Sequence, residues 1–315
     1  MTNATLAYLF WVLLIFSAPV VTHSVRASNT PSRPSPHSSS SAERAAAATF
    51  ALTFLAIDSD GSPVTDLKAE ELRLRVNRTD RKILSLSSAR EAPKTIGLFF
   101  DISGSRRADR QIGKEIQAAE NFLQSTWHQG DEGFVSAFGG KLYFVARPTK
   151  DLNQILASLQ KISDATYYGP TALFDALCGV RIKKTGEEVH EILFVVLSDF
   201  GDNSSKQKED AAVKVLIKEG VRVFPVFLGE SFGSNESKMT RKRSMDAARE
   251  MAEHTGGQVL TPESERDLAG AFRQIANAFQ ATYSAQYESP QPGDSHTKIQ
   301  LDTSRPHIKL LYAHE

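Results

Sequence analysis

The sequence predicts an α/β fold over residues 93–282, built on a doubly wound, mostly parallel sheet of six strands. Short apolar runs of strand length alternate there with longer segments whose apolar residues recur at helical spacing. The runs at 96–100 and 192–197 contain no polar side chain, which is typical of parallel strands buried on both faces. Because parallel strands need long crossovers, this alternation favours helices on both sides of one sheet.

Each element of this α/β segment follows from its own pattern. The predicted strands are 95–101, 133–138, 141–146, 191–198, 221–228 and 257–260. The predicted helices are 109–127, 151–162, 171–183, 205–219, 242–254 and 264–282. Gly139 and Gly140 separate two strand patterns by a two-residue turn, which indicates a hairpin and therefore one antiparallel strand at the edge of the sheet.

Residues 49–92 and 283–315 flank this segment, and both alternate like half-buried strands. Their apolar positions are separated by turn-forming clusters. We predict that the two flanks pair into one small β-subdomain. The cluster at 58–61, Asp-Ser-Asp-Gly, resembles the start of a calcium loop but lacks the distal Glu, so we predict a plain turn.

The first 48 residues predict export from the cytoplasm. Residues 6–21 are almost wholly apolar, and small residues follow around Ala27, as in a signal peptide comprising residues 1–27. Residues 28–48 are rich in Ser, Pro and Ala and predict a linker. We therefore expect a secreted or periplasmic protein. The alternative is an N-terminal membrane anchor, if the apolar run is retained.

The composition argues against several classes of function. Lys+Arg and Asp+Glu number 37 each, so no bulk charge favours binding to nucleic acid or to an acidic membrane surface. Cys178 is the only cysteine, which excludes an intrachain disulfide and a lipid-modified cysteine after the apolar run. It lies in an apolar helical pattern, so we predict a buried thiol and no catalytic role.

Three separated segments place oxygen donors at predicted strand ends or in a loop before a helix. Asp101 ends the first strand and Ser103 and Ser105 come just after it, Thr171 lies where a loop meets a helix, and Asp199 directly follows the fourth strand. The first and fourth strands are neighbours at the switch point of a doubly wound sheet, so their ends flank one crevice. Carboxylates and hydroxyls are hard ligands that suit Mg²⁺ or Mn²⁺ and disfavour Zn²⁺. Taken singly, each aspartate or Thr171 is also a sound helix cap.

In combination, these segments resemble a known family. Asp-Ile-Ser-Gly-Ser at 101–105, Gly-Pro-Thr at 169–171 and Ser-Asp at 198–199 resemble the metal-ion-dependent adhesion site of von Willebrand factor type A domains. The resemblance covers about 93–282. The flanking stretches 61–67 and 283–290 resemble a group of bacterial secreted proteins related to that family, whose general role is poorly defined.

The resemblance implies a role for each donor. Ser103 and Ser105 would bind the metal directly, Thr171 and the two aspartates would bind directly or through water, and a carboxylate from a partner protein would fill the open position. Phe200 departs from the family pattern, since a small residue commonly follows the second aspartate. Asp202 is expected to face water, with a supporting acid near the metal as the alternative.

Two enzymatic readings compete with a binding module. Gly-Glu-Ser-Phe-Gly at 229–233 matches the nucleophile elbow of α/β-hydrolases around Ser231, but the helix pattern begins several residues too late. Asp101 matches the nucleophile of an aspartyl-phosphate enzyme, but the second acid and the phosphate-pairing Lys are missing. We therefore predict a protein-binding module that is not an enzyme. A metal-dependent hydrolase using Asp101 or Ser231 is the alternative.

Overall fold

The computed structural model describes residues 49–106, 112–163, 169–182, 191–229, 237–288 and 298–314. The predicted signal peptide, the linker and Ser231 lie outside these ranges. The helices are α1 (Ile112–Thr126), α2 (Leu152–Leu159), α3 (Leu173–Gly179), α4 (Glu209–Lys218), α5 (Lys238–Thr255) and α6 (Glu265–Gln280). No helix within the described ranges combines the length and the apolar character needed to cross a membrane.

The α/β part is built on a five-stranded sheet. Its strands are β5 (Lys94–Asp101), β6 (Glu132–Phe138), β7 (Leu142–Thr149), β8 (Glu191–Ser198) and β9 (Val221–Phe227), in the order β7-β6-β5-β8-β9. All neighbours pair in parallel except β6 and β7, so β7 is an antiparallel edge strand. Every position of β5 and β8 is buried, as their continuous apolar runs predict.

The sixth predicted strand, 257–260, does not form a strand in the structure. Only Leu260 pairs with β9, as an isolated parallel bridge to Val226. The Leu260 amide donates to the Pro225 carbonyl oxygen, and the Phe227 amide donates to the Leu260 carbonyl oxygen, both at 2.8 Å. The next hydrogen bond of a longer ladder would need an N–H on Pro225, which proline lacks. The pairing therefore stops after one residue.

Helices cover both faces of the sheet. One face packs on α1, α2 and α6, through buried side chains that include Ile116, Leu159 and Phe272. The other face packs on α3, α4 and α5, with buried side chains that include Leu177, Leu216 and Met251. Two apolar faces with helical cover on each are what a doubly wound sheet requires, so the α/β class predicted from the sequence is confirmed.

The flanks form two further sheets, both antiparallel. Their strands are β1 (Thr49–Asp58), β2 (Leu72–Val76), β3 (Thr79–Arg81), β4 (Ile83–Ser88), β10 (Thr282–Glu288), β11 (Ile299–Thr303) and β12 (Ile308–Leu311). One sheet has the order β12-β1-β10-β4 and the other β11-β2-β3. Strands from before and after the α/β part therefore pair directly with each other. The division at residues 92 and 282 stays a prediction.

The Asp58 side chain stabilises the turn at 58–61. Asp58 Oδ1 accepts hydrogen bonds from the amides of Asp60, at 2.9 Å, and Ser62, at 2.8 Å. Gly61 adopts the left-handed conformation, with φ of 78°. The Asp58 carboxylate is thus used to close a turn.

Tyr283 joins β10 to the loop between β1 and β2 and provides a first test of the fold. Its buried hydroxyl donates to the Val64 carbonyl oxygen at 3.0 Å and accepts from the Leu67 amide at 3.1 Å. Replacing Tyr283 with Phe leaves both groups without this partner, so the free energy of unfolding should fall by about 1–3 kcal/mol. Urea unfolding measures the loss. Tyr143→Phe, which removes a hydroxyl from a half-exposed ring, is the matched control and should change stability by less than about 0.5 kcal/mol. Equal losses would contradict the prediction.

Candidate metal centre

Asp101 lies where the carboxyl ends of β5 and β8 meet. Its side chain is 1% exposed. Oδ1 accepts a hydrogen bond from the Ser103 amide at 2.8 Å, and Oδ2 accepts one from the Ser198 hydroxyl at 2.5 Å. Since Ser198 is the last residue of β8, the carboxylate is fixed between two adjacent strand ends, where doubly wound sheets bind ligands.

Asp199 directly follows β8 and is completely buried. Its Oδ1 accepts a hydrogen bond from the Gly201 amide at 3.2 Å. Its Oδ2 has no hydrogen-bond partner among the described residues. A buried carboxylate oxygen without a partner is costly, and a bound cation is one of the few groups that would satisfy it.

The two aspartates interact electrostatically. The pKa of Asp101 is raised to about 6, first by burial and second by the negative charge of Asp199. Hydrogen bonds from Ser103 and Ser198 oppose the shift, and no Lys or Arg of the described residues is among its causes. Two buried carboxylates that repel each other form a site whose charge a divalent cation would neutralise.

Two hydroxyls lie in the loop directly after Asp101. Ser103 Oγ and Ser105 Oγ are 3.1 Å apart and share a hydrogen bond in which either atom is a possible donor. The Gly104 amide between them donates to the Gly169 carbonyl oxygen at 3.0 Å. Gly169 has φ of 83°, a conformation that favours glycine. The loop after β5 is therefore joined to the loop that carries Thr171.

Thr171 is buried and joined in turn to the loop after β8. Its amide donates to Asn203 Oδ1 at 2.9 Å, and its carbonyl oxygen accepts from the amides of Asn203 and Ser204 at 3.0 Å each. The helix predicted over 171–183 begins only at Leu173, and Ala172 is its N-cap residue. Thr171 is therefore not a helix cap, which removes the structural alternative for this residue.

The capping of α3 comes from the loop after β8 instead. Asp202 Oδ2 accepts from the Phe174 amide at 3.2 Å and from the Ser205 hydroxyl at 2.5 Å, while Ser205 Oγ accepts from the Asp175 amide at 3.1 Å. Asp202 was expected to face water, with a place near the metal as the alternative. In the structure it satisfies the free amide of Phe174 at the start of α3, and it orients Ser205, which satisfies the amide of Asp175.

Packing of the Phe200 ring gives a reason for a bulky residue where the family pattern has a small one. It has φ of 59°, which is strained for a bulky residue and costs about 1–3 kcal/mol. Its buried ring packs against Phe227 with centroids 6.4 Å apart, and burial of such a ring returns about 1.5–3 kcal/mol. Its amide donates to Ser198 Oγ at 2.9 Å. The same hydroxyl donates to Asp101, so Phe200 helps to orient it.

Ser198 contacts Asp101 at the candidate site, and the sequence did not reveal this contact. The signal was its place beside Asp199 at a strand end, but the bond from its hydroxyl to Asp101 depends on the pairing of β5 with β8. Replacing Ser198 with Ala should weaken Mg²⁺ binding about 10–100-fold, since groups that orient metal ligands typically have effects of that size. Calorimetric titration with Mg²⁺ measures it.

Ser136→Ala is a matched control for that variant. Ser136 is also a buried serine of the central sheet, but its Oγ has no hydrogen-bond partner among the described residues. Mg²⁺ affinity should be unchanged in Ser136→Ala. Unchanged affinity in Ser198→Ala would show that the Asp101–Ser198 hydrogen bond does not matter to the site.

The side chains of the candidate metal centre offer only oxygen donors, which are hard ligands. Within the described ranges, no group of three or more His, Cys, Asp and Glu side chains lies close enough to hold a metal ion. Two carboxylates together with Ser and Thr hydroxyls suit Mg²⁺ or Mn²⁺. Hydrogen bonds join the three segments that carry Asp101, Thr171 and Asp199, and metal binding by these residues stays a prediction.

Cys178 has the properties of a structural thiol. It is a free, half-buried cysteine, and burial raises its pKa above the usual value, with Arg181 opposing the shift. A reactive cysteine needs a lowered pKa. Of the segment 229–233, which matches a hydrolase elbow in sequence, only Gly229 lies within the described residues.

Comparisons with known proteins give only distant likenesses. No protein-family model and no curated protein matches the chain. An aerotolerance-related membrane protein from Bacteroides fragilis is 17% identical, with 59% of this chain and 99% of that chain covered and a TM-score of 0.45. Proximal thread matrix protein 1 from the mussel byssus, with a zinc-occupied MIDAS motif, is 16% identical, with 65% and 50% covered and a TM-score of 0.49. Manganese-loaded TRAP protein from Plasmodium vivax is 14% identical, with 73% and 96% covered and a TM-score of 0.44.

The chain resembles von Willebrand factor A domains in its motifs and in where the fold places them. The motif residues at 101–105 and at 198–199 lie at the ends of the adjacent strands β5 and β8. Main-chain hydrogen bonds join the motif at 169–171 to the 101–105 motif, through Gly104, and to the loop after β8, through Asn203 and Ser204.

Proposed function

We propose that the chain is a binding module that recognises a protein partner through a divalent cation, Mg²⁺ or Mn²⁺. The residues that would hold the cation are Asp101, Ser103, Ser105, Thr171 and Asp199. When bound, the ion supplies a Lewis-acidic position that a carboxylate of the partner can occupy. The chain's own residues hold the donors in place and exclude water from the two aspartates, and no step requires catalysis.

One observation carries this proposal: the unpartnered, buried Oδ2 of Asp199 beside the raised pKa of Asp101. A structural cap would have its carboxylate oxygens satisfied by amides, as those of Asp175 are by the amides of Lys206 and Gln207 at 2.9 Å. The pair at the end of β5 and β8 instead keeps negative charge buried, and no Lys or Arg of the described residues is among the causes of the Asp101 pKa shift. A cation would supply the missing positive charge.

The apolar N-terminal segment of the sequence supports a location outside the cytoplasm. We propose that it acts as a secreted or periplasmic protein, or at a membrane surface if the N-terminal apolar segment is retained as an anchor. Its partner is then a protein of the same compartment that offers an exposed carboxylate. The balanced charge of the chain gives no support to a nucleic-acid partner.

The test combines metal titration with partner capture. Wild-type protein should bind Mg²⁺ or Mn²⁺ by calorimetry and should capture a partner from the native extracellular fraction with Mg²⁺ but not with chelator. Asp101→Ala should lose both properties, whereas Asp210→Ala, which changes an exposed aspartate of α4, should retain both.

Three results would overturn the proposal. The first is the absence of metal uptake, and the second is partner capture that chelator does not affect. The third is turnover of acyl or phosphoryl substrates that is lost in Asp101→Ala or Ser231→Ala, which would support the hydrolase alternative.

A further inference from the structure

We infer that the partner's recognition segment carries a second acidic side chain, which lies in a pocket beside the metal centre under Lys141 and Lys161. This inference rests on the proposed function and deepens it, because it specifies the chemistry of the partner beyond the carboxylate on the metal. The pocket belongs to the β6–β7 hairpin and the short helical turn at Gln160–Ile162.

The pocket has the volume and the lining needed to bind one side chain of a partner protein. Its volume is about 530 Å³, within the range of small-ligand pockets. Buried Ala137 and Ile162 and half-buried Val145 line its floor, and the exposed side chains of Lys141 and Lys161 lie at its rim. A side chain with an aliphatic stem and a charged end, such as Glu, fits an apolar floor below a cationic rim.

The pocket is continuous with the metal centre. Ile102, which lies between two predicted metal-binding residues, and the Gly169–Pro170 pair, which directly precedes Thr171, also line it. The Ile102 amide donates to the Phe138 carbonyl oxygen, and the Ala172 amide to the Gly139 carbonyl oxygen, each at 2.8 Å. The hairpin that forms the pocket is thus bonded to both metal-site loops, and one peptide segment can reach both.

The charge of the pocket selects an anionic occupant. Lys141 and Lys161 are the charged residues that line it in the described part of the chain, and no Asp or Glu lines it there. Lys141 Nζ lies 5.9 Å from the centroid of the Tyr143 ring, so this ammonium is held near the hairpin. Because the chain as a whole has no net charge, this cationic rim is a local feature that attracts acidic groups and repels basic ones.

The experiment uses synthetic peptides with a fluorescent label in a Gly-Ser host sequence. One peptide carries a single Asp, and a second series carries the same Asp with a Glu one, two or three residues away. In Mg²⁺ at low salt, wild-type protein should bind the best two-acid peptide about ten-fold more tightly than the one-acid peptide, as measured by anisotropy.

Reversing the charge of Lys141 and Lys161 tests whether the pocket causes the preference for the two-acid peptide. The Lys141→Glu/Lys161→Glu variant should lose the preference for the second acid while its calorimetric Mg²⁺ affinity stays within about two-fold of wild type. The Lys150→Glu/Lys214→Glu variant changes the net charge equally, at exposed lysines outside the pocket, and should keep the preference.

Three outcomes overturn the inference. The first is a two-acid preference that persists in Lys141→Glu/Lys161→Glu. The second is equally tight binding of a peptide with Leu in place of Glu, and either of these leaves the metal-dependent function standing. The third is Mg²⁺-independent binding of every peptide together with no Mg²⁺ uptake, which overturns the proposed function as well.

Discussion

Replacement of Asp199 by Asn should stabilise the metal-free protein and remove its stabilisation by Mg²⁺. The substitution abolishes the repulsion between two buried carboxylates and keeps Oδ1 as the acceptor for the Gly201 amide. We expect a gain of about 1–2 kcal/mol in the metal-free free energy of unfolding above pH 6, since one pKa unit corresponds to about 1.4 kcal/mol. Wild-type protein should gain about 2.7 kcal/mol from Mg²⁺ at a hundred times its Kd, and the variant almost nothing.

The pH dependence of that gain identifies its cause. The pKa of Asp101 is raised from 3.8 to about 6, so the native state holds this proton more tightly than the unfolded chain. The contribution of Asp101 to the stability of the metal-free wild type is therefore greatest below about pH 4 and is lost as the pH rises to about 6. The advantage of Asp199→Asn should be small at pH 4, where Asp101 is protonated, and should reach its full value above pH 6.

Urea unfolding of both proteins at each pH, with chelator or with Mg²⁺, measures these effects. The difference between the two proteins is compared at each pH because other carboxylates titrate equally in both. Asp60→Asn, a substitution at an exposed aspartate, should show no such pH-dependent difference from wild type. A metal-free Asp199→Asn protein that is less stable than wild type at pH 7 would mean that the two aspartates do not repel each other.

The fold class followed from patterns that belong to single segments. The continuous apolar runs of β5 and β8 and the helical spacing between strands specify a layered sheet whatever the detailed contacts. The prediction of a strand at 257–260 was wrong because of a contact between two segments. The apolar character of 257–260 is that of a strand, but the ladder ends because Pro225, on another segment, has no N–H to donate.

At the candidate site, too, the sequence shows the residue types but not the contacts between segments that position them. The residue types at 101–105, Thr171 and Asp199 are visible in the sequence because each stands in a short motif at a predicted strand end or helix start. The contacts that position them are made between segments: the Ser198 hydroxyl with Asp101, Asn203 with Thr171, and Asp202 with the start of α3. Such contacts depend on which strand ends meet, so the sequence alone assigned Asp202 to water and left Ser198 without a role.

A buried ion pair at the opposite end of the sheet should carry the largest effect on stability. Arg222 of β9 lies with Nη2 3.4 Å from Glu191 Oε1, and its Nη1 donates to the carbonyl oxygens of Leu311, at 3.1 Å, and of Gly256. Glu191 Oε2 accepts from the Thr282 hydroxyl at 3.4 Å. Burial lowers the pKa of Arg222 and the Glu191 carboxylate opposes the shift, so the two charges depend on each other. This network joins the central sheet to α5, β10 and β12.

Arg222→Leu should therefore lower the free energy of unfolding by about 3–5 kcal/mol, because it leaves Glu191 charged, buried and unpaired. The Arg222→Leu/Glu191→Leu double variant should recover part of that loss, since removing both charges leaves no isolated ion. Arg273→Leu, at an exposed arginine of α6, is the control and should change stability by less than about 0.5 kcal/mol. Urea unfolding of the four proteins completes a mutant cycle. A double variant as unstable as the sum of its single variants would show that Arg222 acts through packing and the two carbonyl groups, and not through its charge on Glu191.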